Sequence, residues 1–279
     1  MDGGYMVMPR GFDPTTPNIA RMNDYLLGGK DNFAADRQAA EKALDLAPEL
    51  LVLMREWRSF IRRVVRFLAQ SGIRQFIDIG PGLPAEENVH EIAQATAPDA
   101  RVVYVDSDPV VCSHAQALLA DNQRTIAVRA DVREPDEIIT HPALHKLVDL
   151  DQPVAILLLA VLHSIPDDYI AERLISRLRR AMAPGSYLAI QHSVCDVRPE
   201  VTGSLASLYQ DEKAIAGGQR ARNTRTKAKI ESFFNGLEVI DPGVVYLPMW
   251  RPEPDKVIAN PESVWLVGGV GRKLAGNHH

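Results

Sequence analysis

Phe76-Ile77-Asp78-Ile79-Gly80-Pro81-Gly82-Leu83-Pro84 decides how the chain is read. Phe76, Ile77 and Ile79 have the bulk and apolarity of a short buried strand, and Asp78 sets a carboxylate near its end. Gly80 and Gly82 then break the strand. Without a Cβ, glycine allows turns closed to other residues and lets a ligand come close to the backbone N–H groups. A carboxylate beside such a turn reads as the floor of a nucleotide-type pocket.

Downstream, strands alternate with helices. Strands are expected at 76–79, 101–105, 125–129, 154–159 and 187–191, with helices near 86–97, 110–121, 134–147 and 167–182. The strands are short, apolar and often β-branched, as in a parallel sheet covered on both faces. Ligands of such sheets bind beyond the carboxyl ends of the strands. Asp78, Asp106, Asp131, the 160–166 loop and His192 all fall at those ends, so they can converge although distant in sequence. After residue 195 helices are expected at 200–216 and 222–235, around Gly217-Gly218. The basic run Arg220, Arg222, Arg225, Lys227 and Lys229 reads as a solvated helix face or a substrate-facing rim. Strands at 237–247 and 263–270, joined by a Pro-rich loop, predict an antiparallel hairpin closing the sheet. The fold class is α/β and Rossmann-like: a mainly parallel seven-stranded sheet with helices on both faces.

Upstream, residues 1–17 are rich in Gly and Pro and read as an extended arm. Asn18 caps a short helix to Leu27, which Gly28-Gly29 stops, and a second helix is expected near 34–47. Arg21, Tyr25, Lys30 and Asn32 cluster around that Gly-Gly turn. They fit either a plain helical hairpin or a lid over a pocket. Residues 48–70 form a long amphipathic helix, with Arg55, Arg58, Arg62, Arg63 and Arg66 on the face expected to meet solvent. Residues 1–70 are therefore expected to be arm and helical cap, and 71–279 the sheet domain.

Bulk properties narrow the function. The net charge of −5 gives no global field for nucleic acid. The longest apolar runs, such as 154–162, fall short of a membrane span of roughly 20 residues. No charged-then-apolar leader pattern opens the chain, and two cysteines are too few for a disulfide framework, so a cytoplasmic protein is expected. No cluster of His, Cys, Asp or Glu has metal-ligand spacing, and no metal is expected.

Gly80-x-Gly82-x-x-Ala85, with Asp106 further on, also fits a dinucleotide fingerprint, so a nicotinamide cofactor has to be weighed. Three features favour S-adenosylmethionine. Asp78 can face a cationic amino group. Asp131, ending the third strand, can accept from an adenine amino group. The closing hairpin is unlike an all-parallel second half. Asp106 would take both ribose hydroxyls, a task suited to a carboxylate.

The alternation over 74–271 resembles the class I methyltransferase fold, through Asp78-Ile79-Gly80-Pro81-Gly82, Asp106, Ala130-Asp131-Val132 and Ala183-Pro184-Gly185. The segments Pro17-Asn18-Ile19-Ala20-Arg21, Tyr25-Leu26-Leu27-Gly28-Gly29-Lys30-Asp31-Asn32 and Val161-Leu162-His163-x-Ile165-Pro166-Asp167 are more specific. They are similar to an actinomycete family of S-adenosylmethionine-dependent methyltransferases, formerly a domain of unknown function. The resemblance implies that Asp78, Gly80, Pro81, Gly82, Asp106, Ser107, Asp131, Val132 and Ala160 line the cofactor site. It also implies that Asn18, Arg21, Tyr25, Lys30 and Asn32 belong to a lid. Arg21 or Lys30 would hold the cofactor carboxylate or an acidic substrate group, and Tyr25 would contact adenine or substrate. His163 is the first candidate for a general base, because its loop borders the transferable methyl in the resembled fold, and His192 the second. No Asn-Pro-Pro-type tetrapeptide follows the fourth strand, so nothing points to nucleic-acid base or amide methylation, and the acidic balance favours a small-molecule acceptor. A non-catalytic binding protein and a nicotinamide-dependent oxidoreductase are the alternatives.

Overall fold

The structure, a computed structural model, describes residues 13–85, 87–119, 122–209, 224–254 and 259–275. Helix α1 (Ile19–Leu26) begins at Asn18, whose side chain accepts the Arg21 backbone N–H, and α2 (Ala34–Leu46) lies against it. Their buried residues, Met22, Leu26, Ala39 and Ala40, form a small core of their own. Helix α3 (Leu50–Gln70) differs: Phe60, Val64, Val65 and Leu68 are fully buried within the main core, in one cluster with Phe76 of the sheet. Burying each such side chain stabilises the fold by about 1.5–3 kcal/mol.

The sheet proper runs β1 (Gln75–Ile79), α4 (Val89–Thr96), β2 (Arg101–Asp106), α5 (Pro109–Leu118) and β3 (Thr125–Arg129). The chain continues through α6 (Pro135–Ile139), α7 (Pro142–His145), β4 (Ala155–Leu159), α8 (Asp168–Ala181) and β5 (Tyr187–Ser193). Then follow α9 (Pro199–Tyr209), α10 (Lys227–Ser232), β6 (Glu238–Val239), β7 (Val245–Tyr246) and β8 (Leu266–Arg272). Strand order is β3-β2-β1-β4-β5-β8-β6, with β7 also on β8. The first five strands are parallel and β8 runs antiparallel to β5. Because β5 occupies one edge of β8 throughout, β6 and β7 share the other edge, in line. Eight strands therefore fill seven positions, as expected.

Period-two alternation sorts the strands into two cores. Phe76, Val102, Tyr104 and Leu157 face α3 and α4, while Ile77, Val103, Val105 and Ile156 face the other way. Asp78 lies in register between Tyr104 and Leu157, on the α3 side.

Local differences from expectation have plain causes. The helix expected at 134–147 is split, because Pro142 opens a new turn capped by the His141 ring. The strand expected at 237–247 is interrupted, since Pro242 has no N–H to give to the ladder and Gly243 turns at φ +92°. The helix expected at 222–235 is cut to α10, because Arg225 lies in an extended segment bridging Val194. The arm residues 1–12, the end of the helix expected at 200–216, Gly217-Gly218, Arg220 and Arg222 lie outside the described residues. Among the described residues no helix is long and apolar enough to cross a membrane.

Candidate active site

At the end of β1 the chain turns through Gly80 and Gly82, both at φ +71°. A Cβ on Gly80 would stand 2.5 Å from Val161 Cγ2, so the turn presses directly on the loop after β4. From above, α1 covers it: Ala20 Cβ lies 4.0 Å from where a Cβ of Gly82 would be. An open cleft adjoins this turn, bounded by Asp78, Pro81, Gly82, Tyr104 and the Trp57-Arg58 step of α3.

Asp78 is 5% exposed and accepts no hydrogen bond among the described residues. Burial raises its pKa to about 7, against the pull of Arg58 and with a further push from Asp106. Tyr104, its neighbour on β2, hydrogen-bonds Nδ1 of His90 at 2.8 Å and accepts the His90 backbone N–H. Asp106 follows at the end of β2. Burial raises its pKa to about 6, partly offset by backbone N–H groups of Asp108, Gly82 and Ser107. The first two acids thus converge on one turn. Neither Asp106 nor Asp131 lines the open cleft itself.

Asp131 is engaged elsewhere. Its carboxylate accepts from the Arg133 backbone and guanidinium, at 2.5 Å for Nη2 to Oδ2, and this holds its pKa low. Adenine contact by Asp131 would have to share it with Arg133. Val132 is buried in the second core, and Ser107 is exposed. Ala160 takes φ +76°, a costly conformation for a residue with a Cβ, at the junction of β4 with the cleft side of the sheet.

Both candidate histidines have their ring nitrogens engaged within the fold. His163 Nδ1 donates to the Ala160 carbonyl at 3.0 Å, and Nε2 accepts the Ser193 backbone N–H at 3.1 Å, with Ser193 Oγ at 2.8 Å. Burial lowers its pKa to about 4. His192 is fully buried and stacks on His163 with ring centres 3.8 Å apart. Its Nδ1 donates to the Ser193 carbonyl, and Nε2 accepts from Arg225 Nη1 at 3.0 Å. Burial, His163 and Arg225 push its pKa well below the ordinary value. Both rings pin the 160–165 loop to β5.

The cap also departs from expectation. Arg21 is 4% exposed, and its guanidinium donates to Asp36 at 2.8 Å and to the Thr16 carbonyl at 2.6 Å. Asp36 also accepts the backbone N–H groups of Asn18 and Phe33. The Arg21–Asp36 pair closes the helical hairpin. Asn32 donates to Asp24, and a Cβ on Gly29 would stand 2.0 Å from that same carboxylate. Tyr25 reaches Glu41 at 3.2 Å and Lys30 is exposed. Asn18 Nδ2 donates to Asp108 at 2.9 Å, tying the cap to the β2–α5 turn.

Sequence reasoning missed Asp24, Asp36, Trp57, Arg58 and Arg225. Arg225, read within a basic run, is 4% exposed and donates to Asp168, His192 and the carbonyls of Leu162 and Ile165. Arg63, read as solvated, is buried and holds the carbonyls of Leu247 and Trp250. The signal for Arg58 was spacing: Trp57, Ile61 and Val64 fix the buried stripe of α3, and Arg58 sits on its border. Among the described residues no group of three His, Cys, Asp or Glu could hold a metal.

This sheet order, with one antiparallel strand inserted beside β5 and an acidic glycine turn at the carboxyl ends, defines a class I methyltransferase fold. The chain belongs to the S-adenosyl methyltransferase family, whose pattern matches residues 7–274. It is an S-adenosylmethionine-dependent methyltransferase. A candidate methyltransferase from Thermobifida fusca is 41% identical, spans 97% of this chain and 100% of its own, and superposes with TM-score 0.85. A DUF574 family protein from Streptomyces avermitilis is 39% identical over 94% and 99% of the two chains, also at 0.85. Human N-acetylserotonin methyltransferase, at 17% identity, 86% of this chain, 57% of that one and TM-score 0.50, shares the fold. No curated protein matches the chain. The residues present fit the cofactor: a buried carboxylate without a donor is suited to an ammonium group.

Proposed function

We propose that the enzyme methylates a small-molecule acceptor beneath the α1–α2 cap, by placing it rather than by activating it with a histidine base. The observation that supports this most is the Asp78 carboxylate, buried and without a hydrogen-bond donor beside the glycine turn that α1 covers. Bound S-adenosylmethionine supplies a methyl group already activated on a sulfonium. The chain's task is then orientation and exclusion of water. Asp78 holds the cofactor's α-ammonium, Asp106 its ribose hydroxyls, and the Gly80–Gly82 backbone lies against the tail. The 160–163 turn borders the reacting centre and is kept rigid by its bonds to β5. The cap formed by α1 and the 28–32 loop closes over the turn.

The test is methyl transfer from labelled donor into a fractionated small-metabolite pool, beside protein and nucleic-acid fractions. Label in a small molecule is expected, with Asp106→Ala lowering kcat/KM about 10- to 100-fold, as for loss of charge-assisted hydrogen bonds. Label confined to protein or nucleic acid would overturn the small-molecule reading. A wild-type protein that transfers no label, yet binds the donor, would favour a binding role without turnover.

A further inference from the structure

Ala160, the first residue after β4, stands at φ +76°. A residue with a Cβ is strained there, and such strain persists only where the surroundings over-determine the backbone. The surroundings of Ala160 do so. Its N–H reaches the Gln191 carbonyl at 3.3 Å, and its own carbonyl accepts Nδ1–H of His163 at 3.0 Å. His163 is anchored in turn, because its Nε2 accepts the Ser193 backbone N–H at 3.1 Å and its ring stacks on His192. Further along the loop, Arg225 holds the carbonyls of Leu162 and Ile165. Three carbonyls of residues 160–165 are therefore fixed by side chains. The strained step is followed at once by Val161, which lies on the glycine turn. A Cβ on Gly80 would stand 2.5 Å from Val161 Cγ2 and 2.7 Å from its Cβ, so the branched side chain rests on the Gly80 backbone itself. Gly80 is also left-handed, at φ +71°. Packed interiors yield little, so a shift of one turn moves the other.

We propose that His163 is a positioning residue for the cofactor: by holding Ala160 in its left-handed turn it sets Val161 against Gly80, and so fixes the path of the Gly80–Gly82 turn that carries the cofactor tail. The inference rests on the reading that this turn takes S-adenosylmethionine. It gives His163 a task other than the proton transfer that its place in the sequence suggested.

Calorimetry with S-adenosylhomocysteine tests it. Val161→Ala keeps the backbone hydrogen bonds of the loop and removes only the methyl groups that meet Gly80. It is expected to weaken binding about 3- to 10-fold. His163→Ala frees Ala160 to leave its left-handed turn and is expected to cost about 10- to 100-fold. Adding Ala160→Gly to His163→Ala is expected to recover most of that loss, because glycine takes a positive φ without the histidine. A role for His163 in packing alone would not be rescued by removing a methyl group elsewhere. Val161→Ala within about twofold of wild type overturns the proposal, and so does His163→Ala that Ala160→Gly leaves unrecovered. If His163→Ala does not fold, Val161→Ala still decides. Wild-type protein that fails to bind the probe removes the cofactor reading, and this inference with it; wild-type binding with unchanged variants removes the inference alone.

Discussion

At the scale of single residues, Asp78 is the group whose chemistry the site turns on. Its folded pKa, about 7, lies above the ordinary value near 3.8 because burial penalises the charge. The favourable contribution of the protonated form is fully present below about pH 4 and is lost as pH rises through about 7. Asp78→Asn should therefore stabilise the ligand-free protein at pH 8 by about 1–4 kcal/mol and change little near pH 4, as read by urea denaturation. Binding should show the opposite sense. An ammonium ligand favours the ionised carboxylate, so S-adenosylhomocysteine affinity should rise between pH 6 and 8, with a flat profile in Asp78→Asn. The histidines give a contrasting expectation. With both ring nitrogens of His163 engaged and its pKa lowered to about 4, the rate should show no His163 titration between pH 6 and 8.

Among the elements, the cap and the β4–α8 loop each depend on one buried arginine. Arg21 closes the α1–α2 hairpin onto Asp36, and Asp36→Ala leaves that guanidinium without its carboxylate. The expected cost is about 3–5 kcal/mol, felt as faster amide exchange in α1 and α2 while β1 to β5 keep their protection. Gly29→Ala drives a Cβ into the Asp24 carboxylate and should loosen the 28–32 loop in the same assay. Arg225 ties Asp168, His192 and two carbonyls together, and Arg225→Ala should lower the melting temperature by several degrees. The elements themselves were legible in the sequence. Helix α1 announced its Asn18 cap and its Gly28-Gly29 stop, and β1 announced itself by the glycine turn. The buried arginines were not legible. A helix wheel tells which face an arginine occupies, but the carbonyls that receive Arg63 come from Leu247 and Trp250, brought there only by the fold.

Across the whole molecule, one sheet separates two cores, and strand alternation delivers Asp78 to the α3 side, in register with Tyr104. The strand-end position of Asp78 and Asp106 could be read from the sequence, because carboxyl ends of parallel strands share one edge. Asp131 could not be read fully, since its partner Arg133 is a neighbour whose side chain curls back on it. Which wall completes the site could not be read either, because α3 reaches the cleft through its packing on Phe76 and the rest of the sheet rather than through any motif. The most direct measurement is a crystal structure of the complex with S-adenosylhomocysteine. The expected result is an α-amino nitrogen about 3 Å from an Asp78 carboxylate oxygen, with the ribose hydroxyls on Asp106. A bound nucleoside whose amino group lies elsewhere, with the Asp78 carboxylate still lacking a donor, would contradict it.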